Sequence, residues 1–177
     1  MHLLASFSGN TSWFAIILTL HVFGAIVGLG PTFAFAIIGP AAGKQEHPAA
    51  GLALLEIMEK IERGMVIPIL IVIQLGTGIA LIFNRGLNHN FFTGHHGWLI
   101  AGILLYVLAM SIVFIIDLPA MGRAIRLAHE GKGGTPEFLA AVRIPQMLGP
   151  VLTIIGVAII VLMVWKPGSG CGSLYRC

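Results

Sequence analysis

His21 is an imidazole inside a long uncharged apolar run, and with Gly24 and Gly28 it follows i, i+3, i+7 spacing, which places all three on one helix face. Ionisable side chains within a membrane span are costly, so each marks a candidate site. Two chemistries fit this face. Gly24-Ala25-Ile26-Val27-Gly28 matches the small-xxx-small pattern that lets helices approach closely. The imidazole can instead ligate a metal, while the missing side chains leave room for a flat macrocycle such as haem b. Gln74 and Tyr106 lie in two other apolar runs at a similar depth. At 1.5 Å rise per residue, His21, Gln74 and Tyr106 form one layer roughly 12–14 Å below the same boundary. A histidine hydrogen-bonded to Gln74 or Tyr106 would satisfy the packing reading completely.

The elements that position these residues follow from composition. The 177 residues are 57% hydrophobic and only 10% charged, with a mean hydropathy of +0.96, whereas a soluble domain is about 25% charged. That excludes a soluble enzyme, a nucleic-acid binder and a disordered tail. The formal net charge of +3 is no argument for nucleic acid. Four runs without Asp, Glu, Lys or Arg, at about 13–38, 65–83, 98–116 and 147–165, reach the roughly 20 residues that a membrane-crossing helix needs. The expectation is all-α: a four-transmembrane-helix bundle filling residues 1–167, with a flexible tail over 168–177. The first run lacks the basic flank and cleavage site of a removable signal peptide.

The connections set the orientation. Lys44, Lys60, Arg63, Arg123, Arg126, Lys132 and Arg143 fall on one side, and Arg85, Lys166 and Arg176 on the other. The positive-inside rule makes the first side cytoplasmic, with both termini outside a bacterial inner membrane, although the seven acidic residues also lie on or next to that side. Trp13, Trp98 and Trp165 mark span ends on the opposite side. Leu52, Leu55, Met58 and Ile61 recur every three residues, and Glu56–Lys60 and Glu59–Arg63 are i,i+4 pairs, so a short amphipathic cytoplasmic helix precedes span two, lying on the surface or running into it. Thr135-Pro136-Glu137 signals the start of a short helix leading toward span four.

Other candidates carry a plainer reading. Pro31 bends or loosens span one after Gly28-Leu29-Gly30. Gly149, Thr153 and Gly156 form a small face on span four, and Gly76-Thr77-Gly78 a similar one on span two. Pro68 and Pro150 fall in or near first turns. Asp117 ends span three and snorkels to the interface. His89, His95 and His96, with His2 on the same side, read as exposed loop histidines, a transient copper or zinc contact being the sharper alternative. Cys171 and Cys177 stand where a small disulfide is possible. No Ser/His/Asp, Cys/His or paired-carboxylate arrangement is expected at membrane depth, so hydrolytic chemistry has no candidate residues.

Leu20-His21-Val22 with Gly24 and Gly28, the following Gly30-Pro31-Thr32-Phe33, and Gln74-Leu75-Gly76-Thr77-Gly78 together resemble an uncharacterised family of small bacterial four-helix membrane proteins. That family is in turn distantly similar to copper-resistance D type proteins and to the haem-containing, oxygen-independent protoporphyrinogen oxidase. The resemblance implies haem b ligated by His21, with Met110, Tyr106, water or nothing as second axial ligand. Spans two to four hold no His, Lys or Arg, which departs from the oxidase pattern. The resulting expectation is a membrane electron carrier with haem at His21, Gly24, Gly28, Gln74, Tyr106 and Met110. The alternatives are a cofactor-free accessory subunit of a larger respiratory or photosynthetic complex, and a metal or small-solute permease. Chemistry of its own is expected only as an oxidoreductase with haem bound. Expected partners are the lipid bilayer and a homo-oligomer or larger membrane complex, with no nucleic acid.

Overall fold

Peptide groups in hydrocarbon find no water, so each apolar run must close its hydrogen bonds internally as a helix. The computed structural model describes residues 9–42, 48–84 and 96–167. It shows four long helices: α1 (Gly9–Ala42), α2 (Ala49–Asn84), α3 (Gly97–His129) and α4 (Pro136–Trp165). All four are long and apolar enough to cross a membrane, and no strand occurs among the described residues. α1 packs on α2 and α4, and α3 packs on α4. α2 and α3 approach each other closely only near their Lys/Arg-rich ends.

The helices have 34, 36, 33 and 30 residues, or roughly 45–54 Å at 1.5 Å per residue, against a hydrocarbon core of about 30 Å. The excess on α2, α3 and α4 lies at the Lys/Arg-rich end. There Ala42, Leu55, Ala124, Ala141 and Val142 form a buried cluster, covered by Leu54, Ile125 and Phe138. Water borders this part of the bundle, so apolar burial drives its packing in the ordinary way. Along the spans, by contrast, Ile26, Ile115, Ile154 and Val164 are exposed, as lipid-facing side chains can be without loss.

Several sequence expectations change in detail. The amphipathic segment before span two does not lie on the surface; it runs straight into the span as the first part of α2. Its Glu59–Arg63 pair forms at 2.9 Å, but Glu56 reaches across to His129 of α3 at 2.8 Å and forms no ion pair with Lys60. The helix starting at Thr135 is continuous with span four. Thr135 caps it by accepting from the Phe138 amide, and Pro145 and Pro150 are therefore interior positions. α1 stays helical through Pro31 and Pro40. Lys44, Arg85, His2, His89, His95, Cys171, Cys177 and the tail lie outside the described residues.

Prolines leave their mark elsewhere. α2 contains two π-helical stretches, Glu62–Val66 and Ile69–Leu75, on either side of Pro68. α3 contains a third, Val113–Asp117, just before Pro119. A proline has no amide hydrogen for the carbonyl four residues back and crowds that turn. A wider turn beside it absorbs the mismatch, and such π-bulges recur at functional sites. Glu62 opens the first of these stretches and Asp117 closes the third.

Candidate functional site: a polar clasp and a carboxylate-lined cavity

Two groups of polar side chains occupy the bundle interior, and they are separate. The first joins α1 to α2. His21 Nδ1 lies 3.0 Å from Thr77 Oγ1, and His21 Nε2 lies 3.1 Å from Gln74 Nε2. The Thr77 hydroxyl donates its only proton back to the Ile73 carbonyl. The Thr77 oxygen can then only accept from the ring, which fixes a proton on Nδ1 and leaves Nε2 as the acceptor of the Gln74 amide. Both ring nitrogens are engaged.

The glycines complete this clasp. A Cβ on Gly24 would stand 2.9 Å from Gln74 Oε1 and 3.0 Å from Ile73 Cγ2, and one on Gly28 would stand 2.7 Å from Leu70 Cδ2. A Cβ on Gly78 would stand 3.3 Å from the ring carbon Cε1 of His21. The face that could have held a flat macrocycle is occupied by α2 side chains. The lone pair an iron would need, on Nε2, is used by Gln74. In this packing the residues around His21 do not fit haem.

Tyr106 and Met110 belong to the second group. The Tyr106 hydroxyl donates to the Leu70 carbonyl at 2.8 Å, bridging α3 to the π-helical stretch of α2. Both residues line a central cavity of about 60 Å³ whose wall includes neither His21 nor Gln74. The common depth of His21, Gln74 and Tyr106 therefore does not translate into one site.

The polar part of the cavity wall is Glu62 and Asp117, each only 6% exposed. Glu62 Oε2 and Asp117 Oδ1 are buried with no hydrogen-bond partner. The two groups lie close enough for their charges to interact. This overturns one expectation, that Asp117 snorkels; the two carboxyl groups lie at the Lys/Arg-rich end, just outside spans 65–83 and 98–116. Sequence reasoning missed Glu62 because Glu59, Lys60 and Arg63 around it read as one solvated face. The available signal was its continuation of the apolar series Leu55, Met58 one turn further on. Apart from the Thr32 and Tyr106 hydroxyls the rest of the wall is apolar, and three thioethers, Met58, Met110 and Met121, are part of it. Buried polar groups are normally satisfied, so an orphaned pair facing a shared space calls for a ligand or solvent.

These features define an α-helical integral membrane protein with a small polar chamber toward one end of its bundle. The chain belongs to the family described as predicted integral membrane protein (DUF2269), whose pattern matches residues 15–167. No curated protein and no solved structure matches it. The family match supports the expected uncharacterised membrane family; a likeness to copper-resistance D type proteins or to protoporphyrinogen oxidase is not shown.

Proposed function

We propose that the protein binds and releases a small cation inside the bundle, at the Glu62–Asp117 pair. One observation carries this reading: two carboxyl groups, each with a buried oxygen that has no partner, line one cavity. Of the three functions the sequence supports, this is nearest the permease class. The accessory-subunit reading relied on small-residue faces left for neighbours, but the faces of spans one and four are used within the bundle. A Cβ on Gly149 would stand 3.4 Å from the Ala36 backbone of α1, and the Thr153 hydroxyl reaches the Thr32 carbonyl at 3.4 Å. Haem at His21 with electron transfer rests on the His21–Gly24–Gly28 face and on the family resemblance, and needs the Gln74 amide to leave Nε2.

The test is an unfolding series in lipid nanodiscs, titrated with acid, Na⁺, Mg²⁺ or Ag⁺. Any species that binds only the folded state raises the midpoint by mass action, about 2.7 kcal/mol at one hundred times its Kd. At least one of the four should raise it, and Glu62→Gln with Asp117→Asn should remove that response. A flat response to all four, or an unchanged response in the double variant, would return the protein to the structural-subunit reading.

Orientation is part of the proposal. The Lys/Arg-rich end faces the cytoplasm of a bacterial cell and both termini face out, since Lys60, Arg63, Arg123, Arg126, Lys132 and Arg143 of the described residues share that end. Single cysteines at Lys132 and Lys166 should then react with a membrane-impermeant reagent only in inverted vesicles and only in intact cells, respectively. The reverse pattern would show that the acidic residues or an assembly partner set the orientation.

A further inference from the structure

We infer that the species held by Glu62 and Asp117 is a proton, shared between the two carboxyl groups and exchanged with water at the Lys/Arg-rich end past the Glu59–Arg63 ion pair. This rests on the small-cation reading above and names its substrate. Ligand number is the first argument. Ca²⁺ takes six to eight oxygen ligands, and Mg²⁺ on two carboxylates would have to bring about four waters with it to complete its octahedron, while the cavity wall offers two carboxylates. The one further hydroxyl on α3, that of Tyr106, is committed to the Leu70 carbonyl, and the Thr32 hydroxyl of α1 donates to the Leu29 carbonyl. No group of three or more His, Cys, Asp or Glu suited to a metal occurs among the described residues.

Space is the second argument. A cavity of about 60 Å³ admits roughly four waters at about 15 Å³ each, so a divalent ion that keeps four waters beside the two carboxylates would overfill it. A proton needs no such room. It also repairs the defect that marks the site: a hydrogen on Glu62 Oε2 or Asp117 Oδ1 gives the orphaned oxygens a donor, directly or through one water. Two ionised carboxylates lining one low-dielectric cavity, with no cation to balance them, would each carry a large desolvation cost.

Access is the third. Glu59 and Arg63 lie on the same helix as Glu62, bonded at 2.9 Å, and a Cβ on Gly122 of α3 would stand 3.8 Å from Glu59 Oε1 and 3.9 Å from Arg63 Nη2. The ion pair therefore lies on α2 where it meets α3, one turn from Glu62 and just outside the cavity wall, and its Arg63 side chain is half exposed. In the other direction the cavity ends in apolar side chains such as Leu152 and Ile159. Glu59 and Arg63 are the other charged groups acting on Glu62; α1 and α4 contribute none to the wall. Uptake transfers H⁺ from a hydronium beside the Glu59–Arg63 pair to a carboxylate oxygen, forming one O–H bond and leaving water. Release is the reverse, and no electron moves.

Infrared difference spectroscopy of the protein in lipid tests this directly. At neutral pH the wild type should show the carbonyl stretch of a protonated carboxylic acid, shifting down in D₂O. Glu62→Gln and Asp117→Asn should each lose that band, read on protein whose helical circular dichroism matches wild type. Gly122→Leu, which crowds the Glu59–Arg63 pair without touching either carboxyl, should keep the band and slow its exchange into D₂O several-fold. A band that survives both amide variants would overturn the assignment. No band in the wild type, with carboxylate stretches that shift on adding Na⁺, Mg²⁺ or Ag⁺, would overturn the proton and leave the small-cation reading standing; the three thioethers make Ag⁺ the informative soft probe. No band and no shift would remove both.

Discussion

Gly28→Leu should push α1 away from α2 and lower the unfolding midpoint of the detergent-solubilised protein by roughly 5–10 °C, corresponding to about 2–3 kcal/mol of overpacking. The first added carbon already stands 2.7 Å from Leu70 Cδ2 and 3.1 Å from Leu70 Cγ, and Leu70 is itself buried. Its side chain cannot retreat freely, because it lies between α1 and the central cavity and its carbonyl holds the Tyr106 hydroxyl. The substitution should therefore disturb the cavity as well as the helix contact. Ile26→Leu, two residues away on a face that is 65% exposed, is the control and should leave the midpoint unchanged. Wild-type stability in Gly28→Leu would mean that α1 and α2 do not pack as described.

The contrast between these two positions shows what the sequence could and could not reveal. Periodicity and the absence of charge were enough to place four spans, and small-xxx-small spacing was enough to place Gly24 and Gly28 against a neighbour, because both signals belong to one helix. The partnership of His21 with Gln74 was also legible, since a buried imidazole must find a partner and few polar groups share its depth. Tyr106 has the same depth but turns to a backbone carbonyl on α2 instead. That acceptor is invisible in sequence. Glu62 and Asp117 were lost for a related reason. Each sits at the end of a π-helical stretch beside a proline, where the 3.6-residue count that assigns faces no longer holds. Their burial also depends on α3 continuing as a helix through Leu118–His129, a segment whose apolar side chains are spaced among charges and whose partner faces lie on α2 and α4.

His21→Ala should destabilise the bundle by about 2–4 kcal/mol, and His21→Gln should recover part of that loss. The alanine variant loses both bonds of the clasp at once. Interhelical hydrogen bonds within membranes contribute about 0.6 kcal/mol on average and at most about 1.7. The remainder comes from the space the ring leaves against Gly78 and from a Gln74 amide with nothing to donate to. Gln74 Oε1 already lacks a partner, so the alanine variant would strand both ends of that side chain. A glutamine at position 21 can present its carbonyl oxygen to the Gln74 amide and its own amide to the Thr77 oxygen, the same donor and acceptor order as the neutral ring. His21→Asn, one methylene shorter, should recover less because it reaches neither group as well. The same variants decide the haem question. If the imidazole serves as a clasp, the wild-type protein expressed with ample haem shows no Soret band, and the order of stability is His21, then glutamine, then alanine. A Soret band that disappears in both substitutions would identify His21 as an iron ligand and would require the Gln74 amide to swing away when haem binds.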